Sequence, residues 1–148
     1  MVFSGTFLAH TNPRIADMLL VRAAAGVQVR LCFGAPSGDA VAHRDAEEGL
    51  GGTLGAKIRA SLSYFTKLVG DQHCEVRLHD TTLYASVFRY DDDALINPHI
   101  WGRPASANPV IHVRRTNDDS MFMKYLDSFD QVWQQSATWN PDEAGRTW

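Results

Sequence analysis

The spacing of apolar positions changes character along the chain, and each change predicts an element. Val2 to Leu8 is rich in Val, Phe and Thr and runs into His10-Thr11-Asn12-Pro13, which reads as a strand feeding a helix start. Asn12 as N-cap and Pro13 at the first helical position supply an acceptor and a pre-set φ for that start. Ile15, Met18, Leu19, Arg22 and Ala23 follow with helical spacing, Gly26 ends the helix, and Val27 to Phe33 is a β-rich run. Strand, helix and strand in this order predict a crossover between parallel strands, with ligands expected at the strands' carboxyl ends.

Beyond a loop at Gly34 to Gly38, the pattern predicts a polar helix from about Asp39 to Glu48 and an apolar-striped one from Thr53 to Val69. Leu54, Ile58, Leu62 and Phe65 form the stripe that packs on a sheet. Three extended runs come next: Cys74 to His79, Leu83 to Tyr90 and Ala94 to Trp101. The acidic tip Asp91-Asp92-Asp93 joins the last two, so they read as a hairpin. Pro98 cannot donate to a ladder, which predicts a bend or bulge at Asn97-Pro98-His99. A Gly/Pro/Ser loop leads to a strand over Val110 to Arg114. Asp118 or Asp119 then caps a final helix with Phe122, Tyr125, Leu126, Phe129 and Trp133 on one stripe. From Trp139 onward the chain is polar and aperiodic and reads as frayed, which sets a domain at 1–138 and a tail at 139–148.

At 148 residues and 45% hydrophobic content, one core is expected. The net charge of −3 argues against broad nucleic-acid binding, which needs a clustered excess of Lys and Arg. Cys32 and Cys74 each fall in a strand-like run without zinc spacing and read as reduced core thiols, which predicts a cytoplasmic setting. No apolar stretch approaches about 20 residues and no signal-peptide pattern opens the chain, so no membrane partner is expected. His10, His43, His73 and His112 lack ligand spacing, Asp91 to Asp93 reads as a solvated turn, and Gly49 to Gly55 is not a P-loop. Neither a metal nor a cofactor is expected.

Three segments carry a resemblance: Gly26 to Leu31, Arg77-Leu78-His79-Asp80-Thr81-Thr82-Leu83-Tyr84, and Asn97-Pro98-His99-Ile100-Trp101-Gly102. Together they resemble a phospholipase D-like domain of unknown function that follows a helix-turn-helix in bacterial transcriptional regulators. The resemblance covers nearly the whole chain and implies an α/β fold, a phospholipase D-like mixed sheet flanked by helices, present as a single half-domain. It also implies a homodimer, and nucleic-acid contact only through a separate DNA-binding domain. The superfamily's signature is His, any residue, Lys, four residues, then Asp, followed by Gly-Ser. Here Tyr84 stands at the His position, Ser86 at the Lys, Asp91 at the Asp, and Pro98-His99 where Gly-Ser would be. This is a degenerate HKD motif: a phenol with a pKa near ~10 is a poor nucleophile, and a serine carries no charge for phosphate.

His79, Thr81, Thr82, Tyr84, Ser86, Arg89, Asn97 and His99 concentrate hydrogen-bonding groups on this strand-turn-hairpin element. Strand alternation puts Tyr84 and Ser86 on one face, and a bend at Pro98 would turn Asn97 and His99 toward them into one concave site for a small phosphorylated or polar ligand. The competing arrangement is structural: His79 and the threonines cap a turn, and Arg89 pairs with Asp91 or Asp92. Three functions remain open at this stage. One is a catalytically degenerate binding or dimerisation module of a transcriptional regulator. Another is a hydrolase of phosphodiester or nuclease type using His79 and His99 as acid and base. The third is a dimer scaffold built on the last helix.

Overall fold

A computed structural model describes residues 1–143, and the end of the expected tail, 144–148, lies outside the described residues. It is a mixed α/β arrangement of two three-stranded sheets and five α-helices. The first sheet has the order β1 (Val29–Gly34), β2 (Cys74–His79) and β6 (Ala137–Thr138). β1 and β2 run parallel, with Val29 opposite Cys74 and Gly34 opposite His79. They are connected through α3 (Asp39–Glu47) and α4 (Leu54–Tyr64). The second sheet is an antiparallel meander of β3 (Ala85–Tyr90), β4 (Asp93–Pro98) and β5 (Ile111–Arg114).

The opening segment differs from the strand expected over Val2 to Leu8. Gly5 takes φ 57°, a left-handed conformation that turns the chain into α1 (Thr6–Thr11). Residues 1–3 lie between the two sheets and bond to both. The Val2 N–H donates to Cys32 O (3.0 Å), and the Gly34 N–H donates to Phe3 O (3.0 Å). On the other side Met1 and Val87 exchange backbone hydrogen bonds of 2.9 Å in both directions. Gly5 also sits against Phe33: an added Cβ would collide with its ring, so the turn leaves no room for a side chain.

Helix α2 spans Ile15–Ala24, later than the Asn12 cap implies. The Asn12 Oδ1 accepts from the Arg14 N–H (3.1 Å) and Asn12 O from the Ile15 N–H (3.0 Å), so Asn12 makes the expected capping bond just ahead of the regular helix. The helix expected over Thr53 to Val69 ends as α4 at Tyr64 and gives way to a 3₁₀ turn over Thr66–Leu68, yet the expected stripe of Leu54, Ile58, Leu62 and Phe65 is buried to the last residue, each such side chain contributing about 1.5–3 kcal/mol. Asp45 on α3 caps α4 across the Gly-rich loop, its carboxylate accepting from the Gly52 N–H (2.6 Å) and the Leu54 N–H (2.7 Å). Those bonds hold its carboxyl below the usual carboxylate range.

The last helix, α5 (Met121–Gln135), is capped by Ser120 rather than Asp118 or Asp119, with the Ser120 Oγ accepting from the Met123 N–H (3.4 Å). Its Phe122 enters a small core under the hairpin, while Phe129, Val132 and Trp133 join the main core. Arg30 and Arg77 clasp Trp133 from β1 and β2, the Arg77 guanidinium lying 4.5 Å from the ring centroid and donating to Trp133 O (2.8 Å). The tail is not frayed at Trp139, the expected boundary: the residue is 7% exposed in the main core, and its backbone N–H donates to Val76 O (2.8 Å). A 3₁₀ turn follows over Pro141–Glu143.

Nor does Pro98 interrupt the hairpin. Asn97 and Pro98 keep regular register opposite Ser86 and Ala85, and the His99 N–H still donates to Tyr84 O (2.8 Å). In that register Ala85 and Pro98 form a non-hydrogen-bonded pair, so the missing N–H faces away from β3. It points to the side where pairing with β5 begins only at Ile96 and Ile111, and no ladder bond is lost. Among the described residues no helix is long and apolar enough to cross a membrane.

Candidate functional site

The residues that the sequence gathers into one cleft fall in separate places. His79 ends β2 and is 1% exposed. Its Nε2 faces Val2 O at 3.2 Å and therefore donates, which leaves Nδ1 to accept from the Thr81 N–H (3.3 Å). Burial drives its pKa down to about 4, since a charged imidazole there loses its hydration. The ring is neutral and both nitrogens are occupied. It caps the turn that the neighbouring Asp80 completes by accepting from the Asp39 and Ala40 N–H groups at the start of α3 (3.2 and 2.8 Å).

Ser86, Asn97 and His99 do share one face, as alternation requires, but they are packed rather than arrayed around a cavity. The His99 Nδ1 lies 2.9 Å from Leu83 O and donates to it, so Nε2 accepts from the Ser86 hydroxyl (3.2 Å). Burial lowers this imidazole's pKa as well. Ser86 and Asn97 are each 6% exposed. The Asn97 amide donates to Ala105 O (3.2 Å), Asn108 O (3.4 Å) and Pro109 O (3.0 Å), pinning the loop that follows β4. Both His rings pack on Phe3, at centroid distances of 5.5 Å for His79 and 5.7 Å for His99. Arg89 points to the opposite face: its guanidinium lies 5.6 Å from the Phe122 ring centroid, and its Nε donates to Asp91 O (2.8 Å). At the tip it is Asp93, not Asp91 or Asp92, that takes the strongest ion pairs, with Arg114 (2.9 Å) and His112 (2.7 Å).

Thr81 and Tyr84 line a cleft of about 270 Å³ between the turn before β3 and α5. Tyr84 is 84% exposed at its mouth, which separates it from Ser86 despite their matching parity. The facing wall is Tyr125, Ser128, Gln131, Val132 and Gln135 of α5, Met1, Leu83, Ala85 and Val87 add apolar surface, and among the described residues no Asp, Glu, Lys or Arg side chain lines the cleft. Sequence reasoning missed this wall. The signal was present: Tyr125, Ser128, Gln131 and Gln135 recur at i, i+3, i+6 and i+10, an uncharged polar stripe on a helix whose remaining polar positions include Lys124, Asp127 and Asp130. A site of this composition takes hydroxyl, amide and ring-nitrogen groups, with the two phenols offering ring faces and hydroxyls.

Among the described residues no three of His, Cys, Asp and Glu come together in a way that could hold a metal ion. Cys32 and Cys74 are unbridged thiols in β1 and β2. The chain matches no family model, no curated protein and no solved structure.

Proposed function

We propose that the chain is a phospholipase D-like module without the family's catalysis, which binds a small uncharged polar ligand between Thr81, Tyr84 and the polar stripe of α5. In this reading it serves a bacterial transcriptional regulator as a homodimer, and a separate domain contacts DNA. The observation that carries the ligand assignment is a cleft whose hydroxyl, amide and phenol groups are joined, among the described residues, by no Asp, Glu, Lys or Arg side chain. Two further facts support the module. Residues 1–3 join the parallel and antiparallel sheets by hydrogen bonds into one mixed surface flanked by helices. The positions matching the family's His and Lys are an exposed phenol and a buried serine.

The test is a thermal-shift panel of neutral nucleosides and sugars against their phosphorylated forms. A ligand at ~100-fold its dissociation constant adds about 2.7 kcal/mol of stability. Stabilisation by an uncharged compound that is lost in Gln131→Ala supports the reading. Uncharged compounds that leave the melting temperature unmoved, or a shift that survives Gln131→Ala, reject it.

One arrangement favours an enzyme instead. Ser86, His99 and Leu83 O form a hydroxyl, base and orienting acceptor in series, the geometry of an activated nucleophile. Against it, Ser86 is buried and lines neither of the two main clefts. Labelling of Ser86 by a fluorophosphonate would promote this second reading.

A further inference from the structure

A second cleft, of about 280 Å³, opens on the other sheet, where the parallel strands β1 and β2 end. One wall is apolar, formed by Leu62, Leu78 and Trp139. The polar wall combines Ser37, from the loop after β1, with Arg59 of α4 and Asn140. Among the described residues no acidic side chain lines it. The hydrogen-bonding inventory sets the sign of what fits. Arg59 makes neither an ion pair nor a hydrogen bond with any described residue, whereas Arg44 and Arg77 are each bound to glutamate. The Ser37 hydroxyl is likewise unengaged among the described residues. Asn140 Oδ1 accepts from the Asp142 N–H (3.0 Å), which fixes the amide and leaves its Nδ2 protons as donors. A guanidinium, a hydroxyl and an amide N–H group therefore face one space that no carboxylate of the described residues lines. The carboxyl ends of parallel strands are also where open α/β sheets generally receive ligands.

We propose that this cleft binds a compact phosphate monoester, its phosphate on Arg59, Ser37 and Asn140 and its apolar body against Trp139 and Leu78. The site is distinct in place and in chemistry from the cleft beside Tyr84. Its volume limits the body to about one ring, since pockets for larger organic ligands start near ~300 Å³. Charge-assisted contact with the Arg59 guanidinium makes binding salt-sensitive.

The probe is phenyl phosphate, titrated calorimetrically and by amide-proton NMR beside inorganic phosphate and phenol as separate arms. Phenyl phosphate is expected to bind at least about tenfold more tightly than either fragment, with shifts at the Trp139 indole N–H. Arg59→Gln, on an exposed helical position, is expected to weaken it by about tenfold or more while the fold persists by circular dichroism. Inorganic phosphate binding as tightly as phenyl phosphate would overturn the apolar half of the proposal. Unchanged affinity in Arg59→Gln, or no binding of phenyl phosphate at all, would overturn it entirely. Gln131→Ala, which removes the uncharged-ligand site, is expected to leave phenyl phosphate affinity intact, so the two sites succeed or fail independently.

Discussion

Replacing His79 by glutamine separates the energetic role of its neutrality from that of its hydrogen bonds. The side-chain amide of Gln retains an N–H for Val2 O, the bond that the imidazole Nε2 makes at 3.2 Å, but it cannot titrate. In the native fold burial lowers the His79 pKa from 6.5 to about 4. Between these values the unfolded chain binds a proton that the folded chain refuses, so stability rises with pH across the window and is lost as pH falls through it. The shift corresponds to roughly 3 kcal/mol, fully present above pH ~6.5 and gone below pH ~4. His99, also lowered by burial, acts in the same direction, as do Asp45 and Asp93, whose carboxyls are lowered by hydrogen bonds. All three remain in the variant. Urea denaturation from pH 4 to pH 7 in both proteins therefore isolates His79. The native slope of stability against pH should exceed that of His79→Gln by up to about 1.4 kcal/mol per pH unit. Parallel slopes, or an NMR titration of the His79 ring near its ordinary pKa, would refute the reasoning.

Phe122, 1% exposed at the centre of the hairpin core, should cost about 3–5 kcal/mol when cut to alanine, measured by chemical denaturation; a loss under about 1 kcal/mol would mean that α5 does not seat the hairpin. Asn97→Asp removes the amide donor to three backbone carbonyls and should cost about 1–3 kcal/mol, with faster hydrogen exchange confined to residues 99–110. The protein should not hydrolyse bis(p-nitrophenyl) phosphate above buffer, because neither a nucleophilic imidazole nor a phosphate-binding lysine occupies the matching positions; turnover abolished by His99→Ala would reverse this. Sedimentation at tens of micromolar should find a dimer, and a monomer alone would count against the proposed assembly.

The elements legible in the sequence are those whose local signals agree. β2 is found at its observed bounds, Cys74–His79, because apolar and polar residues alternate between two breaks. The α4 stripe is equally plain, every one of its four apolar positions lying in the core. Illegible elements are those where a local preference loses to a contact far along the chain. Val2 and Phe3 do bond to β1, but Gly5 turns the chain after them against Phe33, a neighbour 28 positions away. Trp139 looks like tail because nothing around it is periodic. Its anchor is Val76 in β2, and a short run such as Ala137–Thr138 becomes a strand only when that partner is present.

The same distinction governs the site. Alternation correctly puts Ser86, Asn97 and His99 on one face, because strand parity is a local property. Whether a polar side chain is free to meet a ligand is not local. The buried amide and imidazoles find acceptors within the chain, since an unpaired polar group in a core costs about 1–3 kcal/mol and a folded chain spends such groups on its own loops. The density of polar residues between His79 and His99 thus reflects a hairpin that must satisfy buried groups. Polar groups available to a ligand lie instead where the chain supplies more of them than its backbone requires, on the α5 stripe and on Arg59. Counting donors already consumed separates the two cases, and that count needs the fold.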